Sequence, residues 1–381
     1  MSDDLSRLCN DFDRGRLSRR QLLKALGIAA AAFSPATALA QGQCGGKLAR
    51  TPGCNQTPAR LPFEPTGWRT VLLDHLSCQV ADYPKEAAYY NALMNWNIRS
   101  DNGKEAVLDV GDWGGLVLRG GYHAPAASIA AEKAAFERYQ GRLPQAARHP
   151  FVPRNALVDS FCWGIEPWDA RTVEAELRKR GLNPVADNHG PDFESFHVKD
   201  PDGFDLQISN GNRSNRRRTP AHGRTSAPAP FAHTDWKTTW LDHISFQVAD
   251  YKKTVAFYSA LLGWKPGPDE GSQNQCEIGE IGDIIIRRGY RVDAAGKAIS
   301  PIPRIAEIDH ISFGITPFDP DEVEAALLKR GLTAFADTGT FGKVDIHKAF
   351  YKSYHTTTPN GFNLQVSNVT RATRSGQPTP A

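Results

Sequence analysis

Histidines recur in this sequence at positions where paired side chains could bind a metal ion or transfer a proton. His243 and His310 lie in the matching phrases DHISFQ and DHISFG. Imidazole is a common ligand of zinc, iron and manganese, and it also titrates near neutral pH. A single histidine on a strand is more often a structural hydrogen-bonding residue. Two in matching positions instead favour a shared site.

Two more histidines precede a polar strand further along the chain. His347 and His355 come before FNLQVSN, a segment that carries Gln365. Imidazoles at such positions are candidates for acid, base or hydrogen-bond-donor roles. The stretch GKVDIHKAFYKSYHTTTPNG from Gly342 is also compatible with a plain polar hairpin, so both readings stay open.

The first half of the chain contains the same phrases. LDHLSCQVADY from Leu73 and LDHISFQVADY from Leu241 share nine of eleven residues, and GFDLQISN from Gly203 matches GFNLQVSN from Gly361. Phrases repeated in one order predict a tandem duplication, with copies at 70–211 and 238–369.

The first copy offers a poorer set of metal-binding side chains. His75 and Gln207 correspond to His243 and Gln365, but Ser160 stands where the second copy has His310. A hydroxyl is a weaker ligand than an imidazole. We therefore expect any tight metal site in the second copy, with His75 and Gln207 as a degenerate counterpart.

Four strand-helix-strands modules are expected to position these side chains. After each DH phrase comes a helical pattern, in which Val255, Tyr258 and Leu261 share a face and Asp250 is the predicted N-cap. A second helix in that copy is bounded by Pro320 and Gly331. Short β-rich runs follow each helix, so each copy contains two modules.

Strand alternation separates a polar face from an apolar one. In DHISFQV it places His243, Ser245 and Gln247 on one side, with the apolar residues opposite. The same rule places Asp74 and Asp242 on the side away from their neighbouring histidines. The polar side predicts a concave surface suited to a small ligand.

Composition is that of a soluble globular protein. The 381 residues are 40% hydrophobic and 23% charged, with a formal net charge of only +3. This balance does not favour nucleic acid or an acidic membrane as a partner. The basic run NRSNRRRT from Asn212 is interpreted as part of a solvated linker over 212–237, and 370–381 as a tail.

The N-terminus resembles an export signal. SRRQLLK from Ser18 precedes LGIAAAAF and an Ala-Leu-Ala ending at Ala40, which is typical of a twin-arginine signal peptide over 1–40. The apolar stretch is shorter than the ~20 residues of a membrane span. We expect a periplasmic or extracellular protein with a linker over 41–69, in which Cys44 and Cys54 either pair or stay free.

The repeated modules resemble the vicinal oxygen chelate superfamily, which includes glyoxalases, bleomycin resistance proteins and extradiol dioxygenases. The resemblance implies an α+β fold of two tandem domains, in which paired βαβββ modules form an open, curved β-barrel with helices outside. It also implies a divalent metal in the cleft, iron, manganese or zinc. Carried over by motif, the ligands are His243, His310 and Gln365, with glutamine where the superfamily usually has glutamate.

A second motif resembles the extradiol dioxygenases in particular. His347, Tyr354, His355, Thr358-Pro359-Asn360-Gly361 and Gln365 follow their spacing, and the first copy repeats it from His189 to Gln207. Both copies have histidine where that frame has tyrosine. The resemblance implies catalytic roles for His347 and His355. A further hypothesis is that His355 itself binds the metal.

Two classes of function follow from these residues. One is an exported metal-dependent enzyme, dioxygenase-like or lyase/isomerase-like, which acts on a small oxygen-bearing substrate in the second domain. The alternative is a non-catalytic protein of the same fold that binds or sequesters a small molecule. Neither class needs nucleic acid or a membrane span, and both are compatible with a homo-oligomer.

Overall fold

A computed structural model describes residues 59–140, 149–187, 192–215, 225–267, 269–289, 306–339 and 345–374. The predicted signal peptide, Cys44, Cys54, His189, residues 216–224 of the basic linker and residues beyond 374 lie outside this part of the chain. None of the described helices is long and apolar enough to cross a membrane.

The described residues of the first repeat form eight strands and three helices. In chain order they are β1 (Arg69–Val80), α1 (Tyr83–Met94), β2 (Asn97–Asp101), β3 (Glu105–Val110), β4 (Gly114–Arg119), α2 (Ala126–Gln140), β5 (Ala156–Glu166), α3 (Ala170–Lys179), β6 (Val185–Ala186), β7 (Ser195–Lys199) and β8 (Asp205–Ser209).

The second repeat follows the same order without a counterpart of α2 among its described residues. Its elements are β9 (Lys237–Val248), α4 (Tyr251–Leu262), β10 (Lys265–Pro266), β11 (Gln273–Ile278), β12 (Gly282–Arg288), β13 (Ala306–Thr316), α5 (Pro320–Lys329), β14 (Phe335–Asp337), β15 (Ser353–Thr357) and β16 (Asn363–Ser367), and the short α6 (Arg371–Arg374) comes after them.

Each repeat builds one eight-stranded mixed sheet. The strand orders are β2-β3-β4-β1-β5-β8-β7-β6 and β10-β11-β12-β9-β13-β16-β15-β14. In each sheet the two modules join through an antiparallel pair of long strands, β1 with β5 and β9 with β13. The predicted α+β fold of paired modules is confirmed, while the domain boundaries stay predictions.

Local signals in the sequence place the helices where they were expected. The Asp250 side chain accepts a hydrogen bond from the Lys253 amide and so caps α4, which ends at Gly263 with φ of 69°. Helix α5 starts at Pro320, and Gly331 follows its end with φ of 72°.

β-Bulges interrupt the central strand pairs beside the predicted metal ligands. Ile308 pairs with Phe246 and His310 with Ser245, so Asp309 is an additional residue in β13. Asp242 is an additional residue in β9 in the same way. A bulge breaks the strict alternation of side chains. The expectation that Asp74 and Asp242 face away from their neighbouring histidines is therefore wrong. Asp74 Oδ1 lies 2.7 Å from His75 Nδ1, and Asp242 Oδ1 lies 3.5 Å from His243 Nδ1.

The two repeats pack against each other reciprocally within one compact unit. The Trp264 indole, beyond the end of α4, donates to Thr70 Oγ1 at 3.0 Å and packs edge-on against Trp163 of the first sheet. In return, Trp96 donates to Thr238 Oγ1 at 2.8 Å and packs edge-on against Phe313. Each repeat thus completes the hydrophobic core of the other.

Buried carboxyl groups lie in the same contact between the repeats. Asp200 accepts a hydrogen bond from the Tyr258 hydroxyl at 2.9 Å, and Asp202 accepts one from Thr254. On the other side, Glu86 accepts from Asn360 Nδ2 at 2.7 Å. Burial and the neighbouring Asp202 raise the pKa of Asp200 to about 7.

Candidate metal centre

The predicted ligands of the second repeat line one small cavity on its sheet. The cavity measures about 190 Å³, and side chains from five strands reach it: His243 from β9, Arg287 from β12, His310 from β13, His355 from β15 and Gln365 from β16. These five strands are consecutive neighbours in the second sheet. The volume lies below the ~300–1,000 Å³ of drug-sized pockets, so a small ligand is indicated.

His243 and His310 face each other across the cavity. Their Nε2 atoms are 2.9 Å apart, and both residues are almost fully buried. His310 Nδ1 lies 2.7 Å from Asp309 Oδ2, which favours a proton on Nδ1 and leaves a lone pair on Nε2. Burial lowers the pKa of His310 to about 3, so this imidazole is neutral at physiological pH.

Gln365 supplies an unpaired oxygen at the third predicted position. Its Nε2 donates to the Tyr351 hydroxyl at 3.0 Å and to Ser353 Oγ at 2.7 Å, which fixes the orientation of the amide. Its Oε1 is buried and accepts no hydrogen bond from the described residues. A buried acceptor without a partner is costly unless something else satisfies it.

Three ionised carboxylates surround the histidines. Burial would raise the pKa of Asp242, but His243 together with the hydroxyls of Tyr351 and Ser312 lowers it to about 2. Burial opposes ionisation of Asp309 too, yet its hydrogen bond with His310 holds its pKa well below the usual range. The pKa of Asp337 is also lowered, against burial, by its hydrogen bond with His355. Carboxylates therefore outnumber the one arginine that lines the cavity.

These residues fit a divalent cation. Two nitrogens bound at about 2.0–2.1 Å with a right angle between them lie about 2.9–3.0 Å apart, and the two Nε2 atoms are at 2.9 Å. Aspartates that hold the second nitrogen of ligating histidines are usual in metal sites. Two imidazoles, one unpaired amide oxygen and the surplus of negative charge together form a donor set for one metal ion.

His355 lines the cavity but is engaged elsewhere. Its Nδ1 lies 2.9 Å from Asn363 Oδ1, its Nε2 lies 3.3 Å from Asp337 Oδ2, and its ring centroid is 5.1 Å from that of His310. Both nitrogens thus have partners already. This arrangement does not favour the hypothetical role of His355 as a third nitrogen ligand.

His347 is not brought to the cavity. Its side chain is 54% exposed, and its Nε2 lies 3.5 Å from Asp321 at the start of α5. The spacing of the dioxygenase-like motif pointed to a shared site with His355, but the chain between them turns His347 towards the helix side. Its catalytic role stays an untested prediction.

Tyr351 is a site residue that the sequence did not reveal. Its hydroxyl donates to Asp242 Oδ2 at 2.8 Å and accepts from Gln365, so it links the residue before His243 with the amide of Gln365. The available signal was its spacing, since residues 351, 353 and 355 share one side of an extended segment.

The first repeat also contributes a neighbour to the site. Arg154, just before β5, donates through Nη2 to the carbonyl of Ile308 and stacks over the Phe362 ring. The connection that contains α2 therefore reaches the second repeat beside Asp309.

The first repeat places its own residues differently. His75 Nδ1 lies 2.7 Å from Asp74 Oδ1, and Cys162 completes a cluster whose potential ligand atoms lie within 4.8 Å of one another. Burial raises the pKa of Cys162 well above its ordinary value, which keeps the thiol protonated and a poor ligand. Gln207 donates to Ser195 Oγ at 2.8 Å.

Solved structures similar to this one share its fold. The Mn(II)-bound glyoxalase from Novosphingobium aromaticivorans aligns with a TM-score of 0.50 and 13% identity over 79% of this chain and 82% of that one. Homoprotocatechuate 2,3-dioxygenase from Brevibacterium fuscum, in its anaerobic substrate complex, aligns with a TM-score of 0.50 and 15% identity over 82% and 84%. The sequence matches no family model and no curated protein. At this identity the similar structures confirm the predicted fold.

Proposed function

We propose that this protein is an exported metal-dependent enzyme whose active site is the cavity of the second repeat. The observation that carries the proposal is the approach of two buried imidazole nitrogens, His243 Nε2 and His310 Nε2, to 2.9 Å in one cavity. The unpaired Gln365 Oε1 belongs to the same cavity. A hydrogen bond between the two imidazoles would account for their distance, but it would leave the amide oxygen unsatisfied.

The residues around the cavity have distinct tasks in this proposal. His243, His310 and Gln365 hold a divalent ion, iron, manganese or zinc. The ion supplies Lewis-acid chemistry to adjacent oxygens of a small substrate. Asp309 fixes the ring of His310, and Tyr351 fixes the amide of Gln365. His355, on the cavity wall, is assigned the proton transfer with the substrate.

Two reaction classes are compatible with this arrangement. The similar structures include a glyoxalase and a ring-cleaving dioxygenase. The proposal therefore specifies chelation of adjacent oxygens and assigns His355 the proton transfer that either class would need. Screening of catechols with oxygen consumption, and of 2-oxo compounds by absorbance, would separate the classes.

Metal content is the primary test. We expect about one metal per chain after folding with iron, manganese or zinc supplied, and loss of it in His310→Ser, which makes the second repeat resemble the first. The matched control is His75→Ser, which should retain the metal. A wild-type protein that binds none of the three ions would refute the enzyme and favour the alternative, a protein that binds a small molecule without chemistry.

A further inference from the structure

Arg287 and Arg119 occupy equivalent positions of the two sheets but differ in their partners. Arg119 lies opposite Gln79 in the parallel pair of β4 with β1, and Arg287 lies opposite Gln247 in the pair of β12 with β9. Since Gln79 and Gln247 occupy the same place in the repeated phrase, the two arginines can be compared directly.

Arg119 is fully engaged by its own repeat. Its Nη2 lies 2.9 Å from Asp159 Oδ2 and also donates to Ser77 Oγ. Asp159 is available for this ion pair because the next residue is Ser160, which has no ring nitrogen to hold. In the first repeat the arginine and the aspartate of the bulge therefore neutralise each other.

In the second repeat the aspartate of the bulge has a different partner. Asp309, equivalent to Asp159, accepts from His310 Nδ1 at 2.7 Å. Among the described residues, Arg287 forms no side-chain ion pair or hydrogen bond, and its Nε is buried without a partner. The guanidinium group nevertheless lines the cavity. A histidine at position 310 thus releases an arginine for a ligand.

We infer that Arg287 is the anion-binding group of this cavity and that the substrate carries a carboxylate beside the oxygens that bind the metal. This inference rests on the proposed function. A guanidinium group presents parallel N–H donors that match the two oxygens of a carboxylate, and such charge-assisted pairs are roughly twice as strong as neutral hydrogen bonds. Asn363 also lines the cavity, and its Oδ1 is already held by His355.

Three related probes separate the two recognition elements. Catechol has the adjacent oxygens alone, benzoate has the carboxylate alone, and 3,4-dihydroxybenzoate has both. Binding of each would be measured by calorimetry to the full mature chain supplied with Mn²⁺, in the wild type, Arg287→Met and Arg287→Lys. Arg119→Met is the matched control in the first repeat, and Mn²⁺ content is measured in every protein.

We expect 3,4-dihydroxybenzoate to bind the wild type more tightly than catechol does. Arg287→Met should weaken 3,4-dihydroxybenzoate by about 10- to 100-fold, the range for loss of a hydrogen bond to a charged group. It should leave catechol binding and Mn²⁺ content unchanged. Arg287→Lys, which keeps the charge without the fork, should fall between, and Arg119→Met should match the wild type.

The alternative outcomes point to different failures. Equal binding of the two diols, with no change in Arg287→Met, would overturn the role of Arg287 and leave the metal centre standing. Absence of Mn²⁺ and of catechol binding, with benzoate bound by the wild type and lost in Arg287→Met, would support the anion site and refute the metal centre. If no probe binds, both ideas are overturned.

Discussion

Substitution of Gln365 by glutamate tests the donor set most directly. The change introduces the glutamate that is the usual third ligand in the vicinal oxygen chelate superfamily. The surrounding hydrogen bonds, however, are arranged for an amide. Gln365 Nε2 donates to both Tyr351 and Ser353. Those hydroxyls already donate to Asp242 Oδ2 and to the carbonyl of Asp337. A carboxylate at position 365 would therefore meet oxygens that have no proton to offer it.

The expected cost in the metal-free protein follows from these contacts. Two hydrogen bonds are lost at about 1 kcal/mol each, and the new acceptor is left buried without a donor, so Gln365→Glu should lower the free energy of unfolding by roughly 2–4 kcal/mol. The control is Gln207→Glu in the first repeat. Gln207 has one such bond, to Ser195, and Phe193 replaces Tyr351. The control should lose about half as much.

Metal should offset part of this cost in Gln365→Glu. At an effective dielectric of 20, unit charges 4 Å apart interact by about 4 kcal/mol, so at least a tenfold tighter metal affinity is a conservative expectation for Gln365→Glu. Saturating Mn²⁺ should then stabilise this variant by about 1.4 kcal/mol more than the wild type. Gln207→Glu, whose second repeat is unchanged, should gain only as much from metal as the wild type does.

Urea unfolding with and without Mn²⁺, combined with a metal titration, measures both effects. If Gln365→Glu is as stable as the wild type without metal, the hydrogen-bond directions described here are incorrect. If its metal affinity is unchanged while its fold is intact, Gln365 does not face the ion, and the donor set is refuted.

Other perturbations follow from the same geometry. Asp309→Asn should weaken metal binding by about 10- to 100-fold, as is usual when the hydrogen-bond partner of a ligating histidine is replaced. The control Asp159→Asn in the first repeat should not change metal binding. Equal effects of the two substitutions in a metal titration would contradict the role of Asp309. Trp264→Ala should lower the free energy of unfolding by about 3–5 kcal/mol. Because the repeats share a core, fluorescence and circular dichroism should still show one cooperative unfolding transition. Two separate transitions would argue against the shared core. The raised pKa of Asp200 means that its carboxyl group binds a proton more tightly in the folded protein than in the unfolded chain. Protonation of Asp200 therefore stabilises the fold at pH 4, and this stabilisation is lost as the pH rises to about 7. Asp200→Asn should flatten that dependence in unfolding measured across this range, and an unchanged pH profile would refute the assignment.

Much of the architecture could be predicted because the chain repeats itself. The duplicated phrases predicted two sheets of paired modules, and the spacing of His243, His310 and Gln365 predicted one shared cavity. Alternation failed at Asp242, since a bulge is a property of strand pairing and leaves little mark on a single strand.

Tyr351 and Arg287 escaped the sequence for a related reason. Tyr351 lies within the frame from His347 to Gln365 but is not one of its motif positions, and Arg287 lies outside that frame. The role of each depends on a partner in another strand. Within the described part of the chain, Arg287 lacks the ion pair that Arg119 makes, because Asp309 is hydrogen-bonded to the adjacent His310. His347 is a different case, since its spacing fits the motif while its side chain is 54% exposed and lies near Asp321; its catalytic role stays a prediction.

The exchange of tryptophans between the repeats bears on how the two copies can diverge. Trp96 and Trp264 each fill part of the core of the other copy. Deletion of either copy would therefore expose the hydrophobic core of the one that remained. Selection could relax at Ser160 while it continued to act on Thr70, Trp163 and Trp96. A copy that had lost its chemistry would survive as scaffolding, and its cleft would be free to change under few constraints.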